Sequence, residues 1–251
     1  MRLEDQRPGV ESAARRVLLE ELTTRSLAGC SPETIATLLE TARVRTVQPG
    51  DTIYAQGEPV PLTLILRGYG AARRTTASGQ EIVSGVAPAG ELFGWSGIKG
   101  SPSSVELLAL TACDVAQWPG HEIRGLVATD SALALIAIDS MAESLHATIE
   151  RIEGFLHQDA RRRVLRILAR HRDLFFTEPP ILTRAHLPGL VGTSREMTGR
   201  VLRQLESEGT VERFGRAGLR LVRADKLEAD DPAVRPYPQE TSGDARHSNV
   251  T

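Results

Sequence analysis

Cysteine is scarce in this 251-residue chain, with only Cys30 and Cys113 present. Two thiols cannot build a disulfide framework or supply the four thiolates of an iron–sulfur cluster. Long apolar runs are missing as well. The longest, residues 132–138, has 7 residues, against the ~20 that a membrane helix needs. The opening Met-Arg-Leu-Glu-Asp-Gln lacks the apolar stretch of a secretory signal. The expected compartment is therefore the reducing cytoplasm, with no membrane partner.

Signatures of catalysis are also wanting. Ser96-Gly97-Ile98-Lys99 matches Ser-x-x-Lys, but its Ser-Asp-Asn and Lys-Thr-Gly companions do not occur, and the one asparagine is Asn249. Gly68-Tyr69-Gly70 opens a Gly-x-Gly-x-x-Gly that ends in Arg73 with no helix signal after it. Neither His-Glu-x-x-His nor Gly-x-Ser-x-Gly is present. No enzyme, no catalytic residue and no metal site is expected.

Lysine is nearly absent too, at Lys99 and Lys226 alone, so the positive charge is arginine. It is unevenly placed. Residues 160–224 hold 14 arginines and six acids, a charge of +8, which leaves −10 for the remainder of a chain whose net charge is −2. A preference for arginine explains the absence of lysine but not the change of sign. A basic module joined to an acidic one predicts that the C-terminal part meets a polyanion.

The apolar pattern divides the chain into five parts. Residues 1–30 read as an N-terminal helical lead, with Val17, Leu18, Leu19 and Leu22 among charges. Ser31-Pro32-Glu33 then supplies a cap, a first-turn proline and an acid for a second helix. Between residues 44 and 118 short apolar runs alternate with glycine turns, the pattern of a jelly roll or β-roll, so residues 31–128 are expected to form a sensor domain of that kind. In residues 129–158, Ile138, Ala142, Leu145, Ile149, Ile152 and Leu156 recur at intervals of 4, 3, 4, 3 and 4. This narrow stripe, flanked by Asp139, Glu143, Glu150, Arg151 and Glu153, predicts a helix that pairs with a second copy of the chain. Residues 159–227 are expected to be a winged helix, and the proline-rich polar residues 228–251 a disordered tail. The fold class is α+β.

The functional motif lies in residues 183–211. Thr183 can cap a short helix ending near Val191, Gly192 makes a turn, and Thr193-Ser194 can cap a second helix running to about Glu208. Pro188-Gly189 falls within the first helix and is expected to kink or shorten it. On the second helix Met197, Val201, Leu202 and Leu205 share an inner face, leaving Arg195, Glu196, Thr198, Gly199 and Arg200 at its exposed leading end. That is a helix-turn-helix, whose second helix enters the major groove of double-stranded DNA. Arginine can donate twice to guanine, and glutamate can accept from cytosine. Strands at residues 211–213 and 219–222 flank Gly215-Arg216-Ala217-Gly218 and form a wing, whose Arg213 and Arg216 can reach phosphates.

These motifs, together with Pro49-Gly50-Asp51, Gln56-Gly57-Glu58, Leu66-Arg67-Gly68, Gly79-Gln80-Glu81 and Ala89-Gly90-Glu91-Leu92-Phe93-Gly94, resemble those of the cyclic-AMP receptor protein/FNR (CRP/FNR) family of bacterial transcription regulators, over roughly residues 33–223. The resemblance implies a cyclic-nucleotide-type β-roll, a dimer helix and a winged helix. It implies that Arg195, Glu196 and Arg200 read a G-C-G set in a TGTGA-like half-site, and that Arg184 and Ser194 hold phosphates. It also implies RNA polymerase as a partner in activation, and a signal that shifts the hinge at residues 156–159. The implied effector pocket comprises Gly90, Glu91, Leu92, Phe93, Gly94, Trp95, Ser103 and Ser104. Here the sequence departs from the family's cyclic-AMP binders: Trp95 replaces their ribose-binding glutamate, and Ser103-Ser104 replaces their phosphate-binding Arg-Ser. Cyclic AMP is therefore disfavoured and the effector left open. Trp95 either packs in the core, covers an altered pocket or stacks on another purine ligand such as a cyclic dinucleotide. Heme is conceivable through His121, His146, His157 or Met141. A nonspecific DNA-binding architectural protein is the remaining alternative.

Overall fold

The structure, a computed structural model, describes residues 8–228 except Ser78 and Gln80. The expected tail beyond residue 228 and the opening residues of the chain lie outside the described residues. The order of elements begins with α1 (Pro8–Ser26) and α2 (Pro32–Thr41). The Ser31 hydroxyl accepts from the Thr34 amide and Pro32 stands in the first turn, so α2 starts as its sequence dictates. Eight strands follow: β1 (Arg43–Val47), β2 (Thr52–Tyr54), β3 (Leu62–Arg67), β4 (Gly70–Thr75), β5 (Glu81–Ala87), β6 (Leu92–Phe93), β7 (Glu106–Ala109) and β8 (Cys113–Trp118).

The strands form two antiparallel four-stranded sheets, ordered β1-β8-β3-β6 and β2-β7-β4-β5. Between them Val47, Ile53, Ile65, Ala72, Leu107 and Val115 make an apolar interior, with Tyr54, Phe93 and Val105 packed against it. Gly68 turns β3 into β4 at a φ of +90°, where a Cβ would lie 2.4 Å from the Ala112 carbonyl oxygen, so only glycine fits.

A second cluster lies outside the first sheet. Leu19 and Leu22 of α1, Leu38 of α2, Leu62 and Leu64 of β3, and Trp118 all join it. The Trp118 indole donates to the Leu38 carbonyl at 2.8 Å. The helical lead is thus part of the β-roll's own core. Arg15 sits 3.4 Å from the buried Asp114 carboxylate, which also receives Arg67 at 3.0 Å and the Thr46 hydroxyl at 2.7 Å.

Residues 120–129, between the last strand and the long helix, form α3 (Gly120–Thr129). Their apolar residues Ile123, Leu126 and Val127 have helical spacing, but Pro119-Gly120 reads as a turn in sequence. It is in fact the helix entry. A Cβ on Gly120 would stand 2.3 Å from the Gly97 carbonyl oxygen, so the glycine is there for close approach.

The long helix α4 (Ser131–His157) has 27 residues, about 40 Å at the usual rise. By length and composition alone it could cross a membrane. Its first turns instead bury Leu133 and Ala137 in the β-roll's outer cluster. Asp130 starts it, with one carboxylate oxygen accepting from the Ala132 and Leu133 amides and the other from the Ser31 amide. Gln158 and Asp159 break the chain direction, and α5 (Ala160–Arg170) begins with Asp159 as its cap, the Arg166 guanidinium lying over Gly154 of α4. There follow α6 (Arg172–Phe175), α7 (Leu187–Val191), α8 (Arg195–Ser207), the hairpin β9 (Val211–Phe214) and β10 (Gly218–Leu221), and α9 (Asp225–Glu228). Val164, Leu165, Leu168, Phe175, Leu187, Leu202, Leu205 and Leu219 form the core of this module, and Ala71, Val83 and Val86 of the β-roll belong to the same cluster.

The amide of Ser31, then the Thr34 hydroxyl, hold the Asp130 carboxyl well below the usual carboxylate range. A depressed acid stabilises the fold above its unfolded value, here near 3.8, and loses that contribution as pH falls. Asp130→Ala should therefore lower the thermal midpoint at pH 7, Asp130→Asn less so, and the gap from wild type should narrow as unfolding is followed down to pH 3–4.

Candidate nucleic-acid interface

Helix α8 has two unlike faces, and their separation makes the site. Ser194 caps it by accepting from the Met197 amide at 3.1 Å. Gly192 turns the chain into it at a φ of +66°, and the Phe155 ring comes within 2.4 Å of where a Cβ would stand. The Gly192 and Thr193 amides both donate to the Pro188 carbonyl, at 2.9 and 3.1 Å. Val201, Leu202 and Leu205 point into the module. Arg195, Glu196, Arg200 and Arg203 point out. Glu196 and Arg200 are 3.3 Å apart, one turn from each other, and remain largely exposed. Arg203 was not singled out in sequence, although it lies three residues beyond Arg200 on the same face.

Several expected roles change. Thr198 is 2% exposed and donates its hydroxyl to the Ser194 carbonyl, so it is not part of the outward set. Its spacing to Val201, Leu202 and Leu205 places it on the inner face. Met197, expected inward, is half-buried. Ser194 caps α8, while Thr193 is half-buried and closes the turn through its amide. At Pro188-Gly189, expected to kink or shorten the first helix, the helix is shortened: α7 has five residues, with Pro188 in its first turn. Ahead of it Thr183 makes a turn with His186, its amide donating to His186 Nδ1 at 2.9 Å.

The wing pairs Arg213 with Leu219 and Glu212 with Arg220 across β9 and β10. Arg216 projects at its exposed tip. Arg213 is engaged by Glu206 at 2.7 Å. Arg184 donates to the carbonyls of Arg216 and Ala217, at 2.7 and 3.3 Å. In this arrangement it braces the wing.

Along α4, Ile138, Leu145, Ile149, Ile152 and Leu156 are between 45% and 71% exposed, and Ala142 is exposed with them. Leu135, at 59%, lies three residues before Ile138 and extends the stripe. Such a row of exposed apolar side chains on one helix is the kind of surface that marks interaction sites.

The eight residues of the expected effector pocket point in different directions. Gly90 lies under Arg25 and Leu22 of α1. Leu92 packs with the outer cluster, and Phe93 with the roll's interior. Gly94 abuts the Pro61 carbonyl. Trp95 is buried in the outer cluster, which selects core packing among its possible roles. The Ser103 hydroxyl is taken by the Val105 backbone, and Ser104 is exposed. Arg73 on β4 is bound by Glu106 at 2.6 Å and Glu81 at 2.9 Å. The residues present do not fit a cyclic nucleotide held in the usual way, because neither a phosphate fork nor a ribose acceptor faces the interior. His121, His146, His157 and Met141 all stand exposed, a poor setting for a heme ligand.

An antiparallel β-roll, a long helix with an open apolar stripe and a winged helix-turn-helix together define a ligand-sensor type of DNA-binding regulator. Residues 44–130 match the family model of the cyclic nucleotide-binding domain, and residues 150–230 that of the Crp-like helix-turn-helix domain. The chain is 30% identical over 176 residues to the cAMP-activated global transcriptional regulator Vfr of Pseudomonas aeruginosa, covering 65% of this chain and 82% of that one. It is 27% identical over 175 residues to the cAMP-activated regulator CRP of Salmonella typhimurium, covering 66% and 83%. In fold it is similar to the c-di-GMP responsive global regulator CLP of Xanthomonas campestris, with a TM-score of 0.65 and 23% identity over 77% of this chain and 100% of the other. The chain belongs to the CRP/FNR family of transcription regulators. Its relatives are regulators rather than enzymes.

Two measurements follow from the geometry of the β-roll. Calorimetric titration with cyclic AMP should show no saturable binding in the micromolar range; a micromolar Kd would contradict the fit described above. Glu91 is half-buried, with its Oε2 atom buried and unbonded. Burial, then the Glu143 charge, push its carboxyl up to about 7 from 4.5, against the opposing effect of Arg170. A raised acid loses stability as pH climbs between those two values. Glu91→Gln should remove that loss, gaining at most about 3 kcal/mol at pH 7 over wild type and nothing at pH 4, as followed by urea unfolding.

Proposed function

We propose that the chain acts as a homodimer on a two-fold palindromic DNA site and reads each half-site through the leading turns of α8. The observation that carries this reading is the joint outward projection of Arg195, Glu196 and Arg200 from a helix whose other face is locked into the module. Arginine 195 and arginine 200 donate to guanine O6 and N7, and Glu196 accepts from cytosine N4 between them. A carboxylate there is repelled by phosphate, so it serves base reading and not general affinity. The ion pair with Arg200 keeps it directed. Arg203 and the wing-tip Arg216 lie to either side and contact the backbone, together with the capped amino end of α8 at Ser194. Arg184 contributes by holding the wing in place.

Dimerisation runs along α4, from Leu135 to Leu156. Burying each leucine or isoleucine of the stripe contributes about 1.5–3 kcal/mol. Two copies paired there present their α8 helices on one face of DNA, with half-sites about one helical turn apart. A TGTGA-like half-site is the sequence that the family's reading of this motif supports. A signal acting on the β-roll governs the position of the DNA module about residues 156–159, with RNA polymerase as the partner in activation and the cytoplasm as the setting. Cyclic AMP bound in the usual mode is not that signal.

Competition binding against a TGTGA-type palindrome and a scrambled duplex tests the reading. Arg195→Ala and Glu196→Ala should each relax the base preference by about 1–3 kcal/mol, while Arg203→Ala should weaken both duplexes alike and reduce the salt slope by about one. Equal binding of the wild type to both duplexes would show a nonspecific architectural protein. Leu145→Asp with Ile149→Asp should yield a monomer by sedimentation and remove specific binding.

A further inference from the structure

The β-roll carries a cleft that shares no residue with the implied effector pocket. It lies at the end of the first sheet where β1 and β3 begin and β8 ends, for Arg43 pairs there with Gln117 and Leu62 with Trp118. Its volume is about 510 Å³, within the roughly 300–1,000 Å³ of small-molecule sites. The walls are backbone packed on backbone. A Cβ on Gly97, in a 3₁₀ helix (Trp95–Lys99), would meet the Val60 carbonyl oxygen at 2.1 Å, and one on Gly120 would meet the Gly97 carbonyl oxygen at 2.3 Å. Glycine at both positions lets three segments close up. A bridge between Pro59 and Pro102 fastens the loop that holds Val60. The cleft is thus formed before any ligand arrives, which lowers the cost of binding.

Its lining is chemically one-sided. Pro59, Pro61 and Pro119 bring apolar rings and no amide hydrogen, and Val60 and Trp118 join them. Donors for a nucleobase or a sugar are therefore few. Gln117 is already engaged: its amide nitrogen donates to the Thr63 hydroxyl at 3.1 Å, and its side-chain oxygen accepts from Arg45 at 3.0 Å. The polar side chains left to meet a ligand are those of Arg43, Ser101 and His121. Among the described residues no acid lines the cleft. Glu122, just outside it, reaches Arg43 only at 3.9 Å, and the Arg43 side chain stays 74% exposed. A guanidinium so placed can present its fork to an incoming carboxylate. One permanent cation beside apolar walls complements a monoanion with an apolar body.

We propose that this cleft binds a small monocarboxylic acid with an aryl or alkyl body, its carboxylate held by Arg43 beside Ser101 and His121, and its body against the proline rings and Trp118. The site stands apart from the cyclic-nucleotide cassette and from the DNA-reading face of α8, so binding is measured without DNA. Because α3 starts at Gly120 on the cleft wall and runs to Asp130, the cap of α4, the acid touches the element that leads into the long helix.

Calorimetric titration of the full-length protein with phenylbutyrate and with octanoate tests this, beside the uncharged phenylbutanol and octanol and the dianion phenyl phosphate. At least one of the two acids should bind saturably, one per chain, and at least tenfold more tightly than its alcohol and than phenyl phosphate. Arg43→Gln should weaken that acid at least fivefold. Ser101→Trp, which places an indole in the cleft, should abolish its binding. Thermal unfolding verifies that both variants fold; should Ser101→Trp fail to, Arg43→Gln decides alone, since it changes an exposed side chain. Absence of saturable binding by either acid would overturn the proposal, as would tighter binding of an alcohol or of phenyl phosphate. Unchanged binding in Arg43→Gln would overturn it too, and would place the acid on another apolar surface such as the stripe of α4.

Discussion

The account depends on one packing interaction, the burial of the inner face of α8. Val201, Leu202 and Leu205 sit at helical spacing against the apolar side of α5 and α7. Once they are fixed, the residues half a turn away have one direction left. Arg195, Glu196 and Arg200 are held outward by what lies behind them, and this preorganisation separates a helix that can read bases from one that is merely basic. The Ser194 cap and the αL turn at Gly192 fix where the helix starts. The braced wing sets how its leading end is flanked.

The same cluster couples the module to the β-roll. Because Val83 and Val86 contribute to it, the module cannot move without opening apolar surface. Such a contact is a natural two-state element: closed it is cohesive, open it exposes both faces to water, and intermediate displacements lose packing without gaining solvent. The long helix connects the two functions. Its first turns are core for the β-roll, its middle carries an exposed apolar stripe, and its last turns carry Phe155 against Gly192 of the turn that precedes α8.

Much of this was legible in the sequence, because periodicity and capping are local. Ser31-Pro32 and Ser194 mark helix starts where the structure has them. The heptad from Ile138 to Leu156 marks an exposed stripe, which Leu135 lengthens. What was not legible depends on distant parts of the chain. Pro119-Gly120 looks like a turn until Gly97 is seen packed against it, and Thr198 looks exposed unless its register with Val201 is counted. The cassette around Trp95 was clear as a departure from its relatives, but where each side chain went was not. There Trp95 joins the outer cluster, its segment packed against α3 and α4. Pro188-Gly189 reads as a shortener of the first helix, but the packing of β5 against Gly189 is visible only in the structure.

The most direct test of the central claim is selection of bound sequences from a random duplex library by the full-length protein. The account predicts enrichment of a two-fold palindrome, with half-site centres about 10 base pairs apart and an alternating guanine–cytosine–guanine core in each half. Recovery of unenriched sequence, or of a single asymmetric site without that core, would contradict it.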